Sequence, residues 1–359
     1  MKILFFTDIH TFPHKKNNYF VHLSYQILEY ILNYCIKNDI EKVVFGGDMF
    51  EKREIVYTEH LTKTKKILKK FINNGIELIM VVGNHDMPYL NKVDNNVLEV
   101  FEEYGVFSTG EDIFYYGTVE GFDLYIQNYT EHFQKDIFPT KKGNNKKILF
   151  SHLDIIDFDL NSKKKSEIGF KDEKFEHFDL VLNGHYHNFQ KRNNIIIQGS
   201  PYKYKLNELE IESGFGVLEL KDRKFKYDFH SLNDKILPKV VYINLDEEFE
   251  NLEDIDTYHN DIEGNYVMLR TKDVDRLFLN KLSIYLKQNY NVIDVFYDFQ
   301  NQDVEIDLQE NIQNEYKNMD NVNFLEKIDN IIEKNYDLSE EEKEEKMEIF
   351  KKHYLKNTV

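Results

Sequence analysis

Five short polar motifs, each placed directly after a strand-sized apolar run, constrain this chain more than any other feature. They are TDIH at residues 7–10, GGD at 46–48, GNHD at 83–86, SH at 151–152 and NGHYH at 183–187. In open α/β folds, binding sites form beyond the carboxyl ends of the strands. The arrangement therefore predicts that five separate strand ends converge on one site.

The elements around these motifs predict an α/β core. Residues 2–7, 42–46 and 76–82 have the pattern of buried strands, and residues 19–38 and 58–73 have that of helices. Strand alternating with helix indicates a layered α/β arrangement. Beyond residue 105 the helical pattern fades and short apolar runs recur, at 105–108, 123–127, 147–151, 178–182, 194–198, 215–220 and 224–230. The second half of the core is therefore predicted to be mainly β.

Three regions are predicted along the chain. Residues 1–235 form the core, and a polar stretch before Pro238 marks its end. Residues 236–306 are predicted as a smaller α/β domain, with strands near 266–271 and 292–298 and a helix near 274–289. Residues 307–359 are predicted to be helical and strongly charged.

Charge and composition limit the classes of protein to which the chain can belong. The formal net charge is -18, but residues 231–359 carry 15 basic and 30 acidic side chains, so the acidity is concentrated there. The first 230 residues are close to neutral and compatible with a nucleic-acid partner. No apolar run approaches the ~20 residues that cross a bilayer, and the amino terminus has no signal-peptide layout. Cys35 is the only cysteine, which excludes a disulfide framework.

The polar motifs suit metal chemistry. Carboxylate and amide oxygens combined with imidazole nitrogens match Mn, Fe or Zn better than Ca or Mg. With Asp48 shared between two cations about 3.5–4 Å apart, such a site can activate water near neutral pH. His185 and His187, one residue apart on a turn, are expected to serve one cation each. Taken singly, Asn84 and Asp86 would also suit a helix cap and His152 a core histidine, but the full set favours a metal site.

Together, D-x-H, G-D, G-N-H-D, a single His and G-H-x-H resemble the signatures of the calcineurin-like metallophosphoesterases, over about residues 1–230. The resemblance implies a four-layer α/β/β/α sandwich with a second small α/β capping domain and a C-terminal helical tail. It implies one cation held by Asp8, His10, Asp48 and His187, and another held by Asp48, Asn84, His152 and His185. His85 is then the general acid to the leaving oxygen, and Asp86 orients it. The implied cofactors are two divalent metal ions, with Mn²⁺ favoured and Mg²⁺, Fe²⁺ or Zn²⁺ as alternatives.

The segment IIIQGSPYKYKLNELEIESGFGVLEL, residues 195–220, is similar to the stretch that follows G-H-x-H in SbcD-type nucleases of DNA double-strand-break repair. The chain length is also similar to that of bacteriophage recombination-nuclease subunits of this type. Two positions depart from the family pattern: DIHTF lacks the Leu-Gly that commonly follows the histidine, and Glu51 stands where some members have a histidine.

This closer resemblance implies an Mn-dependent DNA exonuclease and endonuclease subunit of an SbcCD-like end-processing, recombination and repair complex. Its implied partners are DNA, an SbcC-like coiled-coil ABC-type ATPase and a second copy of the nuclease, without a membrane. The single cysteine and the amino-terminal pattern make a reducing cytoplasm the expected location, or the host cytoplasm for a phage protein. Two alternatives stay open. One is a dinuclear phosphatase or small-nucleotide phosphodiesterase on the same core, and the other is a non-catalytic scaffold that recruits the ATPase.

Two sets of surface residues are candidates for macromolecular contacts. Lysines on either side of the His152 strand are candidates for binding DNA, against the alternative of solvated loops, namely Lys141, Lys142, Lys146, Lys147, Lys163, Lys164 and Lys165. Two apolar helical stripes in the tail are candidates for gripping the ATPase, against the alternative of docking on the chain's own second domain, namely Phe324, Ile328 and Ile331, and Met347, Phe350 and Tyr354. Ser339 and Glu342 fit a capping box that begins the second tail helix.

Overall fold

The computed structural model describes residues 1–11, 18–90, 92–107, 110, 112–132, 144–161, 164–203, 211–233, 236–245, 255, 258–271 and 276–299. The predicted helical tail, residues 307–359, lies outside the described residues.

The first part of the chain alternates strands with helices, as predicted. Its elements are β1 (Lys2–Phe6), α1 (Asn18–Lys37), β2 (Lys42–Phe45), α2 (Thr58–Asn73), β3 (Glu77–Met80) and β4 (Val106–Phe107). The strands form because their apolar runs are buried on both faces, which is typical of parallel strands inside a layered protein. In α2, His60, Thr64, Ile67, Leu68 and Phe71 recur at helical spacing and are buried.

The rest of the described chain is mainly β, again as predicted. Its first strands are β5 (Phe114–Val119), β6 (Phe122–Gln127), β7 (Lys146–Ser151), β8 (Asp159–Asn161), β9 (Lys164–Lys165), β10 (Leu180–Asn183), β11 (Gln190–Arg192) and β12 (Ile195–Ile197). The later elements are β13 (Gly214–Lys221), β14 (Lys224–Ser231), β15 (Val240–Asn244), α3 (His259–Ile262), β16 (Tyr266–Thr271), α4 (Arg276–Asn289) and β17 (Asp294–Phe299).

Two six-stranded sheets form the body of the fold. The first has the order β14-β13-β1-β2-β3-β4, and β1 to β4 are parallel to one another. The second has the order β11-β12-β10-β7-β6-β5, and β12, β10, β7 and β6 are parallel to one another. Within each sheet, the carboxyl ends of the parallel strands therefore lie along one edge.

A single hydrophobic cluster joins the inner faces of the two sheets. Ile3, Phe5 and Val44 from the first sheet belong to the same cluster as Leu124 and Phe150 from the second. Because alternate residues of a strand point to opposite faces, these side chains fill the space between the sheets. Burying this apolar surface is the main contribution that holds the two sheets together.

The outer faces of the sheets are covered differently. Helix α2 contacts β3 of the first sheet, and α1 contacts α2. On the second sheet, Leu149 and Val181 pack against Phe170, Phe175 and other side chains from the loops that follow β7. A 3₁₀ helix at Asp172–Phe175 is the helical element of that layer among the described residues. The mixed α/β class with parallel-rich sheets is confirmed.

The described part of the second region contains a three-stranded sheet in the order β15-β16-β17, with α4 between β16 and β17. The chain divides into two compact units, and Met1–Val241 lies in the first. The predicted regional boundaries at residues 235 and 306 stay predictions. Among the described residues, no helix has both the length and the apolar character to cross a membrane.

Candidate metal centre

The site begins where β1 and β2 end, and its backbone is held in an unusual conformation. Asp8, His10 and Asp48 have positive φ angles of 54°, 40° and 60°, and His185 beyond β10 has one of 78°. A non-glycine residue in this left-handed region costs about 1–3 kcal/mol, so the surrounding contacts must enforce it. Strain of this kind accumulates where side chains have to be aimed at a common point.

Backbone hydrogen bonds between the loops enforce these conformations. Asp8 N donates to the Gly47 carbonyl oxygen at 2.9 Å, and His10 N donates to the Asp48 carbonyl oxygen at 3.1 Å. The GSPY segment at 199–202 adds support from the second sheet, since Ser200 Oγ donates to the Asp8 carbonyl at 3.1 Å. The parallel pairing of β1 with β2 thus continues into the loops that carry the site.

Two glycines let these loops approach closely. A Cβ added at Gly83 would collide with the Asp48 carboxylate, and one added at Gly47 would lie 2.5 Å from His152 Nδ1. Gly47 also has a φ of 103°, which a side chain disfavours. The glycines of the GGD and GNHD motifs are therefore required by the packing around Asp48.

The first predicted ligand group is assembled around Asp8. His10 Nε2 lies 3.7 Å from Asp8 Oδ1, and His187 Nε2 lies 3.8 Å from the same oxygen. The ligand atoms of Asp8, His10 and His187 all lie within 4.8 Å of one another. His10 Nε2 is also 3.6 Å from Asp48 Oδ2, which brings the fourth predicted ligand to the group.

The second predicted ligand group lies on the other side of Asp48. His152 Nε2 is 3.3 Å from Asp48 Oδ2. Asn84 Oδ1 lies 3.1 Å from His152 Nε2 and 3.0 Å from His185 Nδ1. The same oxygen of Asp48 therefore faces a histidine of each group, which is the position that a ligand shared between two cations needs.

The electrostatics of both groups favour positive charge. Burial would lower the pKa of His10, but the neighbouring Asp8 and Glu51 carboxylates raise it to about 10. Burial would likewise lower the pKa of His152, but the Asp48 and Asp8 carboxylates raise it to about 9. Burial would raise the pKa of Asp48, yet the surrounding histidines hold it well below its usual range.

The donor set fits two divalent cations. Carboxylate oxygens, an amide oxygen and imidazole nitrogens converge there as lone-pair donors, and hydrogen bonds alone satisfy them poorly. Among the residues that the structure describes, none donates a hydrogen bond to the fully buried Asp8 Oδ1. A cation in each group would meet these lone pairs and the excess negative charge.

Glu51 supports both a predicted ligand and the predicted acid. Its carboxylate Oε2 lies 2.9 Å from His10 Nδ1, on the far side of the ring from Asp8. Its backbone carbonyl oxygen lies 2.5 Å from His85 Nδ1. Glu51, which departs from the family pattern, thus orients the imidazole rings of His10 and His85.

The predicted role of Asp86 requires a correction. Its carboxylate accepts hydrogen bonds from the backbone N–H groups of Asp48, Met49 and Gly83 at 2.8, 2.8 and 2.9 Å, and its hydrogen bonds do not include the His85 ring. Burial and the Asp48 charge raise the pKa of Asp86 to about 7, while these donors oppose that rise. Asp86 therefore fixes the loop that carries Asp48, and Glu51 holds His85.

Asp154 was not predicted as a site residue. Its Oδ1 lies 2.8 Å from His185 Nε2, so the remaining nitrogen, Nδ1, faces Asn84. The Tyr129 hydroxyl donates to the other carboxylate oxygen at 3.1 Å. A carboxylate behind a metal-binding histidine fixes the tautomer and raises the basicity of the ring. The signal available in the sequence was an acidic residue two positions after His152.

The structure separates the candidate DNA-binding lysines. Lys146 and Lys147 begin β7, whereas His152 follows its end, and a six-residue strand spans about 17–20 Å. Lys147 is also only 3% exposed. These two lysines lie at the opposite edge of the sheet from the site, and their contact with DNA stays a prediction. Lys164 and Lys165 are exposed on β9 and stay predictions, while Lys141, Lys142 and Lys163 lie outside the described residues.

The fold and the site define a phosphoesterase. Residues 1–189 match the family described as calcineurin-like phosphoesterase, and the chain belongs to this family. The predicted family is thus confirmed.

Two curated relatives have names that are more specific than that of the family. The chain is 21% identical over 231 residues to exonuclease subunit 1 of Enterobacteria phage T4, covering 63% of this chain and 67% of that protein. It is 23% identical over 260 residues to the DNA double-strand break repair protein Mre11 of Nanoarchaeum equitans, covering 61% of this chain and 66% of that protein. The chain thus spans about two thirds of the length of these relatives. A dimetal phosphatase from Danio rerio is a similar solved structure, with a TM-score of 0.43, 9% identity, and coverage of 64% of this chain and 96% of that one.

Proposed function

We propose that this chain is a DNA nuclease subunit that hydrolyses phosphodiester bonds with two divalent cations, of which Mn²⁺ is favoured. The observation that carries the proposal is the convergence of Asp48 and six other potential ligand side chains, with His85 beside them. The choice of DNA among phosphoesters is supported by the two relatives, an exonuclease subunit and a double-strand-break repair protein.

The two ligand groups and His85 have separate parts in this chemistry. Two cations at the ligand groups would supply the positive charge that binds a phosphate and activates water. His85 donates a proton to the leaving oxygen from Nε2, while Nδ1 stays bonded to the Glu51 carbonyl. His85 N donates to Asp48 Oδ1 at 2.7 Å, which fixes the proton donor relative to the shared ligand.

Substrate choice is the experiment that tests the proposal. The purified chain is given Mn²⁺ and linear duplex DNA, single-stranded DNA, or p-nitrophenyl phosphate as a generic phosphomonoester. We expect cleavage of DNA that a chelator abolishes, with little hydrolysis of the monoester. Hydrolysis of the monoester alone would favour the phosphatase alternative, and bound metal without hydrolysis of any substrate would favour the scaffold.

We also propose a partner, an SbcC-like coiled-coil ATPase, together with a second copy of the nuclease. The support is that the T4 relative is itself named a subunit. The proposed contact is the pair of tail stripes that contain Ile331 and Phe350, which lie outside the described residues. Apolar anchors dominate helix recognition, so replacing both residues by glutamate should abolish co-purification with the ATPase. Cleavage of short single-stranded DNA should survive, and loss of folding in the isolated subunit would contradict the assignment.

A further inference from the structure

Arg53 lies beside the second ligand group although sequence reasoning gave it no role. Its Nη2 atom is 2.9 Å from the side-chain amide of Asn84. The described residues offer no carboxylate to its guanidinium, although carboxylates crowd the neighbouring ligand groups. Burial raises the pKa of Tyr129, and the Arg53 charge opposes that rise, which places the guanidinium near Tyr129 as well.

The Asn84 amide can be placed in two orientations, which differ by exchange of its oxygen and nitrogen and have different partners. In the first, Oδ1 faces His152 Nε2 and His185 Nδ1 at 3.1 and 3.0 Å. Because the Asp154 carboxylate accepts the hydrogen of His185 Nε2, two lone pairs meet at His185 Nδ1 unless a cation lies there. In the second, Oδ1 accepts a hydrogen bond from Arg53 Nη2 at 2.9 Å. The two N–H groups of the amide then face His185 Nδ1 and Asp48 Oδ2, at 3.0 and 3.3 Å.

The two orientations are mutually exclusive. Coordination of a cation requires the amide oxygen, and this turns the amide nitrogen toward Arg53. Two hydrogen-bond donors then face each other at 2.9 Å, and the guanidinium loses its acceptor. A guanidinium next to a divalent cation is also repelled unless an anion lies between them.

The substrate supplies such an anion. The planar fork of arginine binds phosphate oxygens with paired hydrogen bonds, and it keeps its charge at any relevant pH. Arg53 and the cation that Asn84 would bind lie one amide group apart, so a single phosphate can contact both. When the amide turns to bind the cation, Arg53 loses the Asn84 oxygen as its acceptor. Arg53 is then available to bind the substrate phosphate.

We propose that the Asn84 amide is a two-position switch that holds Arg53 in the absence of metal and releases it to bind the substrate phosphate once a cation is coordinated. This inference rests on the proposed phosphoester chemistry of the site. It makes Arg53 a substrate-binding residue whose availability depends on metal loading.

The proposal predicts opposite effects on two affinities. In Arg53→Ala, metal binding no longer breaks a hydrogen bond or brings two donors together, so Mn²⁺ should bind the second group about threefold to tenfold more tightly. The same variant lacks a charged phosphate contact, so inorganic phosphate should bind the Mn-loaded protein about tenfold or more weakly. A residue that merely supports the loop would weaken both.

Titration calorimetry measures both affinities without any turnover. Arg53→Met is the second variant, because it keeps side-chain bulk without charge and covers a failure of the alanine variant to fold. Lys52→Ala is the matched control, since it removes one positive charge from the adjacent exposed position. Tighter Mn²⁺ with weaker phosphate in the Arg53 variants alone supports the proposal, and any other pair of results overturns it.

Failure of this inference is distinguishable from failure of the proposed function. A chain that shows the expected affinities but leaves DNA intact would overturn the nuclease proposal and retain the switch. A chain that cleaves DNA while its Arg53 variants bind Mn²⁺ and phosphate normally would retain the nuclease proposal and overturn the switch.

Discussion

His85 Nδ1 lies 2.5 Å from the backbone carbonyl oxygen of Glu51. A carbonyl oxygen only accepts hydrogen bonds, so Nδ1 carries the hydrogen and Nε2 is the nitrogen that exchanges a proton with the substrate. Burial lowers the pKa of His85, with the Asp48 charge acting in the opposite direction. Nδ1 thus keeps its hydrogen on the Glu51 carbonyl, and the lowered pKa makes the protonated ring readily give up the proton on Nε2.

His85→Ala should separate catalysis from metal binding. The side chain of His85 is outside the two ligand groups around Asp48, so we expect both cations to be retained. The loss of a positioned acid should slow DNA cleavage by about 10²–10⁴-fold. Elemental analysis and single-turnover cleavage measure the two properties, and loss of metal in this variant would make His85 a ligand and contradict its assignment as the acid.

Asp48→Ala should remove both cations and all activity. One carboxylate oxygen faces His10 and His152 at 3.6 and 3.3 Å, so its loss leaves the repulsion between two cations unscreened. Metal content is measured by elemental analysis, and folding is checked by circular dichroism. Two firmly held cations in an inactive, folded variant would contradict the shared-ligand role.

The strands that the sequence predicts are those with the strongest apolar pattern. β1 was predictable because KILFF is apolar throughout and pairs inside a buried sheet. β5 was missed because it is an edge strand in which Tyr115 is exposed and Gly117 lies at an irregularity in the pairing. The hairpin of β8 and β9 is polar and carries no apolar alternation.

The site was predictable where the side chain itself carries the chemistry. Asp8, Asn84 and His185 were found because their residue types and spacing indicate metal binding. The role of Glu51 toward His85 depends on a backbone carbonyl, which every residue has, so the residue type gives no signal. The Asp154 contact also depends on a loop path that brings residues 154 and 185 together across the sheet edge.

Asp154→Asn should weaken metal binding at the second group and leave the first intact. The carboxylate holds His185 Nε2 at 2.8 Å, and outer-shell partners of this kind typically contribute 10–100-fold to metal affinity. We expect a loss of about this size for one of two sites in Mn²⁺ titration calorimetry. Asp159→Asn on β8, whose partly exposed carboxylate lies 3.9 Å from Lys165 Nζ, is the control. Equal weakening at both sites would contradict the pairing of Asp154 with one group.

Metal affinity should increase with pH across the neutral range. The pKa values of about 10 for His10 and about 9 for His152 keep both imidazoles protonated at pH 6–8, and a cation needs them neutral. For each proton that the cation displaces, the apparent metal affinity should therefore increase about tenfold per unit rise in pH, as long as the pH is below the pKa of that histidine. Calorimetry in two buffers of different ionisation enthalpy gives the affinity and the number of protons released. The measurements are made at about pH 6.5, 7.0 and 7.5, all below both pKa values. A flat affinity without proton release would show that these carboxylates do not hold the two histidines in their charged form.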